Sequence, residues 1–220
     1  MRVRVHQHVN PLAPYFTFTP EPLDLEKIFA RPGKPLFLDI GSARGRFLLQ
    51  MAAACPDENF LGAEIREPLV EEANRIRDEQ DLSNLHYEFI NATLALGGWL
   101  AKLPAGILRT VAIQFPDPWY KKKHAKRRMV NNNLVETAVN HLADSGKIFI
   151  QTDVEFLAEE MFELFRQNRH LREVEIFQNP FPVKTERETA VEEKGLIIYR
   201  AFFYKKINKK GGSKTAFEQN

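Results

Sequence analysis

The sequence predicts an α/β fold, a mostly parallel seven-stranded sheet with helices on both faces. Three observations carry this prediction. Short apolar runs alternate with stretches of helical periodicity through short loops, the order that strand–helix–strand units produce. Runs such as Val111-Ala112-Ile113-Gln114-Phe115 read as buried strands. Nearly every predicted strand also ends in an acidic or amide side chain, on the edge where open α/β sheets bind their ligands.

The elements follow in order. Residues 36–40 read as the first strand, 46–54 as a helix, 59–64 as the second strand and 70–78 as the next helix. Residues 85–90 and 110–115 are the third and fourth strands, with a helix over 133–142 before a fifth strand at 147–151. A helix over 154–168 carries Phe156, Phe162 and Phe165, and two last strands near 174–177 and 196–204 complete the sheet. The strand ends present Asp39, Glu64, Asn91, Asp117 and the pair Thr152-Asp153. A sheet needs none of these groups for stability, so a ligand site on that edge explains them better.

A chain of 220 residues is long enough for one well-buried domain. Residues 1–30 read as a partly flexible N-terminal extension, 31–205 as the main domain and 206–220 as a disordered basic tail. The net charge is only +2, so partner preference depends on where the charges sit. The single cysteine, Cys55, falls on a predicted helix face. It can form no internal disulfide, and a reducing cytosol, hence a cytoplasmic location, fits. No apolar stretch reaches the length of a membrane span, and the first eight residues contain no signal-peptide core. His6 and His8 read as surface or packing residues. No His/Cys/Asp cluster has metal-ligand spacing, so no metal is expected.

The densest stretch runs from Gln114 to Arg128. A strand stops at Phe115-Pro116-Asp117-Pro118, so two prolines frame a carboxylate at the ligand edge. Trp119 and Tyr120 follow, then six Lys/Arg in the eight positions 121–128. Aromatic rings beside a basic run suit bases beside phosphates. Read alone, Pro-Asp-Pro is also an ordinary turn and a basic run an ordinary solvated face.

After the first strand comes Asp39-Ile40-Gly41-Ser42-Ala43-Arg44-Gly45-Arg46. Gly41 and Gly45 let the backbone turn tightly and approach a ligand. Their spacing is not the G-x-G-x-x-G dinucleotide fingerprint. Glu64 ends the second strand about twenty residues further on, where an acid accepts hydrogen bonds from ribose hydroxyls. Asp39 and Glu64 place negative charge that suits a sulfonium cation better than a pyrophosphate. Asn91 offers an amide for the polar edge of an adenine, or is a plain turn residue.

On these residues the chain resembles the bacterial tRNA (guanine-N7)-methyltransferase family, S-adenosylmethionine-dependent enzymes with the Rossmann-like class I methyltransferase fold. The resemblance spans about residues 1–205. It rests on Arg2-Val3-Arg4 with His8-Val9-Asn10-Pro11-Leu12, the 39–45 loop, Phe115-Pro116-Asp117-Pro118-Trp119, residues 121–128, Thr152-Asp153 and Thr185-Glu186-Arg187-Glu188. It implies S-adenosyl-L-methionine as cofactor, held by Asp39, Glu64, Asn91 and Asp117 beside Gly41 and Gly45. It implies Asp117 as the active-site aspartate. Substrate contacts are implied at Lys121, Asp153, Thr185, Glu186, Arg187 and Glu188, and RNA contacts at Lys123, His124, Ala125, Lys126, Arg127 and Arg128. The implied partner is tRNA, methylated at a guanine of the variable loop, with the enzyme a monomer or homodimer and no membrane involved. The run at 185–188 is expected in a polar loop. Three positions depart from the family pattern: Ala43 replaces a usual glycine, Asn91 a usual aspartate, and Tyr120 a usual proline or histidine.

Three rival readings remain at the level of sequence. Asp117-Pro118-Trp119-Tyr120 loosely resembles the Asp-Pro-Pro-Tyr motif of exocyclic-amine methyltransferases, but lacks its second proline. A non-catalytic RNA-binding module would not need the cofactor loop. A nicotinamide dehydrogenase is disfavoured by the glycine spacing.

Overall fold

The computed structural model describes residues 9–207. The Arg2-Val3-Arg4 motif, His6, His8 and nearly all of the expected tail lie outside the described residues. The elements are α1 (Leu25–Ile28), β1 (Leu36–Ile40), α2 (Arg46–Ala54), β2 (Asn59–Glu64), α3 (Glu67–Glu79), β3 (Leu85–Phe89), α4 (Ala92–Trp99) and β4 (Leu108–Gln114). They continue with α5 (Asn132–His141), β5 (Leu142–Thr152), α6 (Glu155–Arg166), β6 (Leu171–Glu175), α7 (Glu186–Glu192) and β7 (Tyr199–Lys205). Short 3-10 helices cover Pro14–Phe16 and Lys122–Arg127.

All seven strands form one sheet in the order β3-β2-β1-β4-β5-β7-β6. The first five pair parallel, and β7 lies antiparallel between β5 and β6. Strand side chains alternate between faces. Leu36, Leu38 and Ile40 of β1 therefore enter one core with Val111, Ile113, Ile148 and Ile150. Phe37 enters the other, with Phe60, Ala112, Phe149 and Phe202. The chain runs outward from β1 to β3, then returns to place β4 on the other side of β1. The strand order thus reverses between β1 and β4, which opens a crevice beyond their carboxyl ends. The 41–45 loop and the Pro116-Asp117-Pro118 turn both leave from there.

A short helix, α1, falls within the expected N-terminal extension, and four further elements differ from expectation. Helix α4 was not anticipated: Gly97 and Gly98 interrupt a segment that is apolar on most sides and so lacks a clear helical stripe. Strand β5 begins at Leu142, with Ser145 at φ +61 and a shift of register against β4. Strand β6 lies at Leu171–Glu175 rather than 174–177, leaving Phe177 exposed. Residues 186–192 form a helix where a loop was expected. Thr185 is its N-cap, its hydroxyl accepting from the Glu188 N–H at 3.1 Å. Thr-x-x-Glu is the pattern of a helix-capping box, a local signal that competes with any functional reading of the same residues.

Candidate active site at the switch point

The glycine loop is built by its neighbours. Gly41 (φ +87), Ala43 (φ +51) and Gly45 (φ +73) all take left-handed backbone, and Ala43 does so without glycine's freedom. The N–H groups of Gly41 and Ser42 both donate to the Ala63 carbonyl, at 2.8 and 3.2 Å. The buried Tyr87 hydroxyl donates to the Gly45 carbonyl at 2.6 Å. A Cβ on Gly45 would sit 2.6 Å from that ring. Gly45 therefore makes room for Tyr87, a structural reason for the glycine that ligand approach alone did not supply.

Glu64 is buried and, among the described residues, accepts four hydrogen bonds. The Ala43 N–H reaches its Oε2 at 2.8 Å, and the Arg66 backbone N–H its Oε1 at 3.0 Å. Arg66 Nε and Nη2 add a forked pair at 2.7 and 3.1 Å. Burial works to lower the Arg66 pKa, but the bond to Glu64 and the charges of Glu64 and Asp117 raise it above its ordinary value. Arg66 thus lies within the field of two acids that end neighbouring parts of the site.

Asp39 is only 4% exposed. Its Oδ1 accepts from Gln114 Nε2 at 3.3 Å. Burial pushes its carboxyl up to about 7, with the Gln114 amide pulling down and the Glu64 carboxylate adding to the rise. Asn91, also buried, precedes α4 and donates through Nδ2 to the carbonyls of Pro11 (2.8 Å) and Phe16 (3.2 Å). The segment before α1 therefore straps across the ends of β2 and β3. Tyr15 and Phe18 pack on Phe89, and the Tyr15 hydroxyl donates to Glu67 at 2.7 Å.

The Pro116-Asp117-Pro118 turn is held under strain. Phe115 has φ +48 and Trp119 φ +45, a conformation that bulky side chains rarely adopt. Each such residue costs about 1–3 kcal/mol and persists only where its surroundings impose it. Arg128 supplies much of that imposition. Its Nε donates to the Pro118 carbonyl at 3.0 Å and its Nη2 to the Trp119 carbonyl at 3.4 Å. Its Nη1 pairs with Glu160 of α6, and the guanidinium lies 5.1 Å from the Phe156 ring centre. The Arg128 side chain is only 12% exposed.

The basic run is therefore two populations. Lys121, Lys122, Lys123 and Lys126 are exposed. Arg127 lies 5.0 Å over the Trp119 ring, its Nε buried without a hydrogen-bond partner, and His124 meets the same ring edge-on. Partial desolvation, then Arg127, Lys123 and Lys121, hold the His124 pKa below its usual value. Ala125 lies within the same 3-10 turn.

The other sequence-selected residues gather around α7. Asp153, just past β5, pairs with Arg187, and Arg46 of α2 pairs with Glu186. Glu188 is 1% exposed and bonded to Arg200 at 2.7 Å, Asn179 at 3.2 Å and Gln151 at 3.3 Å. Sequence reasoning missed Arg66, Gln114, Gln151, Glu160 and Arg200. The two glutamines were detectable as amides at the ends of otherwise apolar strands. Among the described residues, no group of three or more His, Cys, Asp or Glu could hold a metal ion, and no helix is long and apolar enough to cross a membrane.

Known proteins agree with this architecture. The family described as "Putative methyltransferase" matches residues 33–201. The tRNA (guanine-N(7)-)-methyltransferase of Trichormus variabilis is 52% identical over 205 residues, 91% of this chain and 95% of that protein. Its counterpart from Synechococcus elongatus is 50% identical, over 92% of this chain and 96% of its own. Among solved structures, the YcgJ protein from Bacillus subtilis (TM-score 0.53, 13% identity) covers 84% of this chain and 97% of its own. The aminoglycoside resistance methyltransferase NpmB1 (TM-score 0.54, 15% identity) covers 82% of this chain and 91% of its own. At such identities the solved structures speak for the fold alone, the seven-stranded class I methyltransferase sheet. The sequence relatives speak for the family: this chain belongs to the tRNA (guanine-N(7)-)-methyltransferases.

Proposed function

We propose that this protein transfers a methyl group from S-adenosyl-L-methionine to N7 of a guanine in the tRNA variable loop, working in the cytoplasm where that substrate is found. The observation that carries the reading is Asp117, held in a strained, arginine-braced turn at the sheet's switch point beside an exposed lysine run. The residues fit the cofactor by their chemistry. Asp39, Glu64 and Asp117 make an acidic donor set, which favours a ligand bearing positive charge over a phosphate. In this assignment Asp39, with the Gly41 and Gly45 turn, meets the amino-acid end and Glu64 the ribose hydroxyls. The Asn91 side-chain oxygen, which caps no N–H of α4, meets the amino edge of adenine.

The cofactor supplies a methyl group on a positively charged sulfur. Guanine N7 offers a lone pair and holds no proton, so the new N–C bond forms as the C–S bond breaks, with no general base required. The protein's part is alignment, which contributes up to about 7–11 kcal/mol in the best cases. Asp117 adds charge stabilisation for the cation developing on the guanine ring. Asp153 accepts from the guanine N1–H and amino group once Arg187 gives it up. Adenine would leave that acceptor unpaired at a cost of about 1–3 kcal/mol. Thr185, Glu186 and Arg187 place the start of α7 over the substrate end, while Glu188 fixes that helix to the sheet. Lys121 meets the substrate guanosine. Lys123 and Lys126 face tRNA phosphates, and His124, Ala125, Arg127 and Arg128 shape the turn that presents them. Residues 31–205 carry the catalytic unit in this reading, with residues 9–30 packed beside it, and a single chain supplies every assigned group.

The test is incubation with methyl-labelled cofactor and unmodified tRNA, then nucleoside analysis. Label in 7-methylguanosine is the expected result. Label on an exocyclic amine, or bound tRNA without transfer, would replace this reading with one of its rivals.

A further inference from the structure

A polar row, buried except for the half-buried Gln114, crosses the sheet from the cofactor edge to α7. Asp39, Gln114, Gln151 and Arg200 lie on β1, β4, β5 and β7, four strands adjacent in the sheet. Gln114 is in register with Gln151, and Gln151 with Arg200. Alternation puts all four on the face that holds Phe37, Ala112, Phe149 and Phe202. The hydrogen bonds run in one sense. Arg200 Nε donates to Gln151 Oε1 at 3.0 Å, Gln151 Nε2 to Gln114 Oε1 at 2.9 Å, and Gln114 Nε2 to Asp39 Oδ1 at 3.3 Å.

That sense is dictated by chemistry. An arginine has donors only, so Gln151 must turn its oxygen toward Arg200 and its amide hydrogens toward Gln114. Gln114 must then offer its oxygen to Gln151 and its own amide hydrogens to Asp39. Arg200 is itself fixed by Glu188 at 2.7 Å and Glu192 at 3.2 Å. We propose that Gln114 and Gln151 are positioning residues, an amide relay anchored on the Arg200–Glu188 pair that keeps the Asp39 carboxylate oriented and charged for the cationic end of the cofactor. The proposal rests on the assignment of Asp39 to that end of the cofactor.

The groups that face Asp39 make a relay necessary. Glu64 at the end of β2 repels its charge, and Tyr87 of β3 lies close enough that the Asp39 charge acts on the phenol. Among the described residues, the side-chain donor to Asp39 is Gln114 of β4. A neutral amide suits this position, because a resident arginine would compete with a cationic ligand for the carboxylate. The arrangement also ties the Glu188 end of the Thr-x-x-Glu segment to the cofactor pocket through three hydrogen bonds.

The test uses Gln114→Met and Gln151→Met, which keep side-chain length and remove the amide. Carbon-13 NMR of ligand-free protein follows the Asp39 carboxyl through its titration, and calorimetry follows cofactor affinity from pH 6 to 9. With the donor lost, the Asp39 midpoint should move up by about one unit. Affinity near neutral pH should fall about tenfold and recover as pH rises. Gln151→Met should move both in the same direction by less, because Gln114 keeps its amide but loses its orientation. In an Asp39→Asn background, Gln114→Met should add nothing further. An unmoved midpoint in folded Gln114→Met would overturn the relay. Unchanged cofactor affinity in Asp39→Asn would instead overturn the assignment of Asp39, so the two failures are distinct.

Discussion

Replacing Asp39 with Asn should stabilise the ligand-free protein, and by an amount that grows with pH. The carboxyl has an ordinary value of 3.8 and is pushed up to about 7 in the fold, chiefly by burial. The folded state therefore holds a proton that the unfolded chain releases between those values. Stability contributed by this group falls as pH rises through that window, and above pH 7 the full cost of a buried carboxylate remains. A gap of about three units corresponds to about 4 kcal/mol at 1.36 kcal/mol per unit, which is the ceiling on the effect. Asparagine keeps the shape and can still accept from Gln114 Nε2, but it carries no charge at any pH. Urea unfolding of both proteins without cofactor should give nearly equal stabilities at pH 4. The mutant should lead by about 2–4 kcal/mol at pH 8. A difference that does not change with pH would refute the reasoning, since packing effects of the substitution have no reason to track the titration. The same mutant should bind cofactor poorly, the usual exchange of function for stability at a site built on an unfavourable charge.

Four other predictions follow from the site. Asp117→Ala should lower methyl transfer by about a hundredfold or more while circular dichroism stays native, because Arg128 and the flanking prolines impose the shape of the turn; near-normal turnover would reject its role. Converting Lys122, Lys123 and Lys126 to Ala should weaken tRNA binding and flatten the log-affinity against log-salt slope by about one unit for each phosphate no longer neutralised. Arg128→Ala should instead leave that slope unchanged and reduce turnover, since its guanidinium is spent on Pro118, Trp119 and Glu160; salt titrations of both variants separate the two roles. Glu188→Ala should cost about 3–5 kcal/mol in chemical unfolding because it leaves the buried Arg200 with the more distant, partly exposed Glu192 as its remaining acid partner, with Glu188→Gln costing less.

The fold was legible where periodicity and burial agree. Strands β1 and β2 and helix α2 fall within their expected bounds because each packs a continuous or one-sided apolar run. Helix α4 was not legible, since its glycines and its nearly all-round apolar surface blur the helical stripe. At the site, the sequence drew attention to charged residues in motifs but could not say which charges were already spent. Arg128 and Lys126 look alike in a basic run. One is a strut beneath Asp117 and the other is exposed, and what separates them is where the fold places the Pro118 and Trp119 carbonyls and Phe156 and Glu160 of α6. Gln114 and Gln151 stand far apart in the chain and become neighbours only when β4 pairs with β5. Ala43 shows the reverse case. The family resemblance marks it as a departure from a usual glycine, and its φ of +51 puts an alanine in backbone that glycine adopts more easily.

Three acids crowd one crevice, and each is held by a different device. Glu64 is matched by Arg66, so its charge is compensated before any ligand arrives. Asp117 is fixed by backbone strain and by Arg128, which grips the carbonyls of the two residues after it. Asp39 receives a neutral amide. The differences fit the role proposed above for each group. A carboxylate that accepts hydroxyl hydrogens can share its lone pairs with an arginine and trade one donor for another. A carboxylate that must meet a cation cannot carry a resident cation without lowering the gain on binding, so its orientation has to come from neutral donors. An acid beside the reacting base needs above all a fixed location, and strain with an external brace supplies that. The self-repulsion left among the three is relieved when a positively charged ligand enters. Cofactor binding should therefore stabilise the fold by more than contact area alone would give.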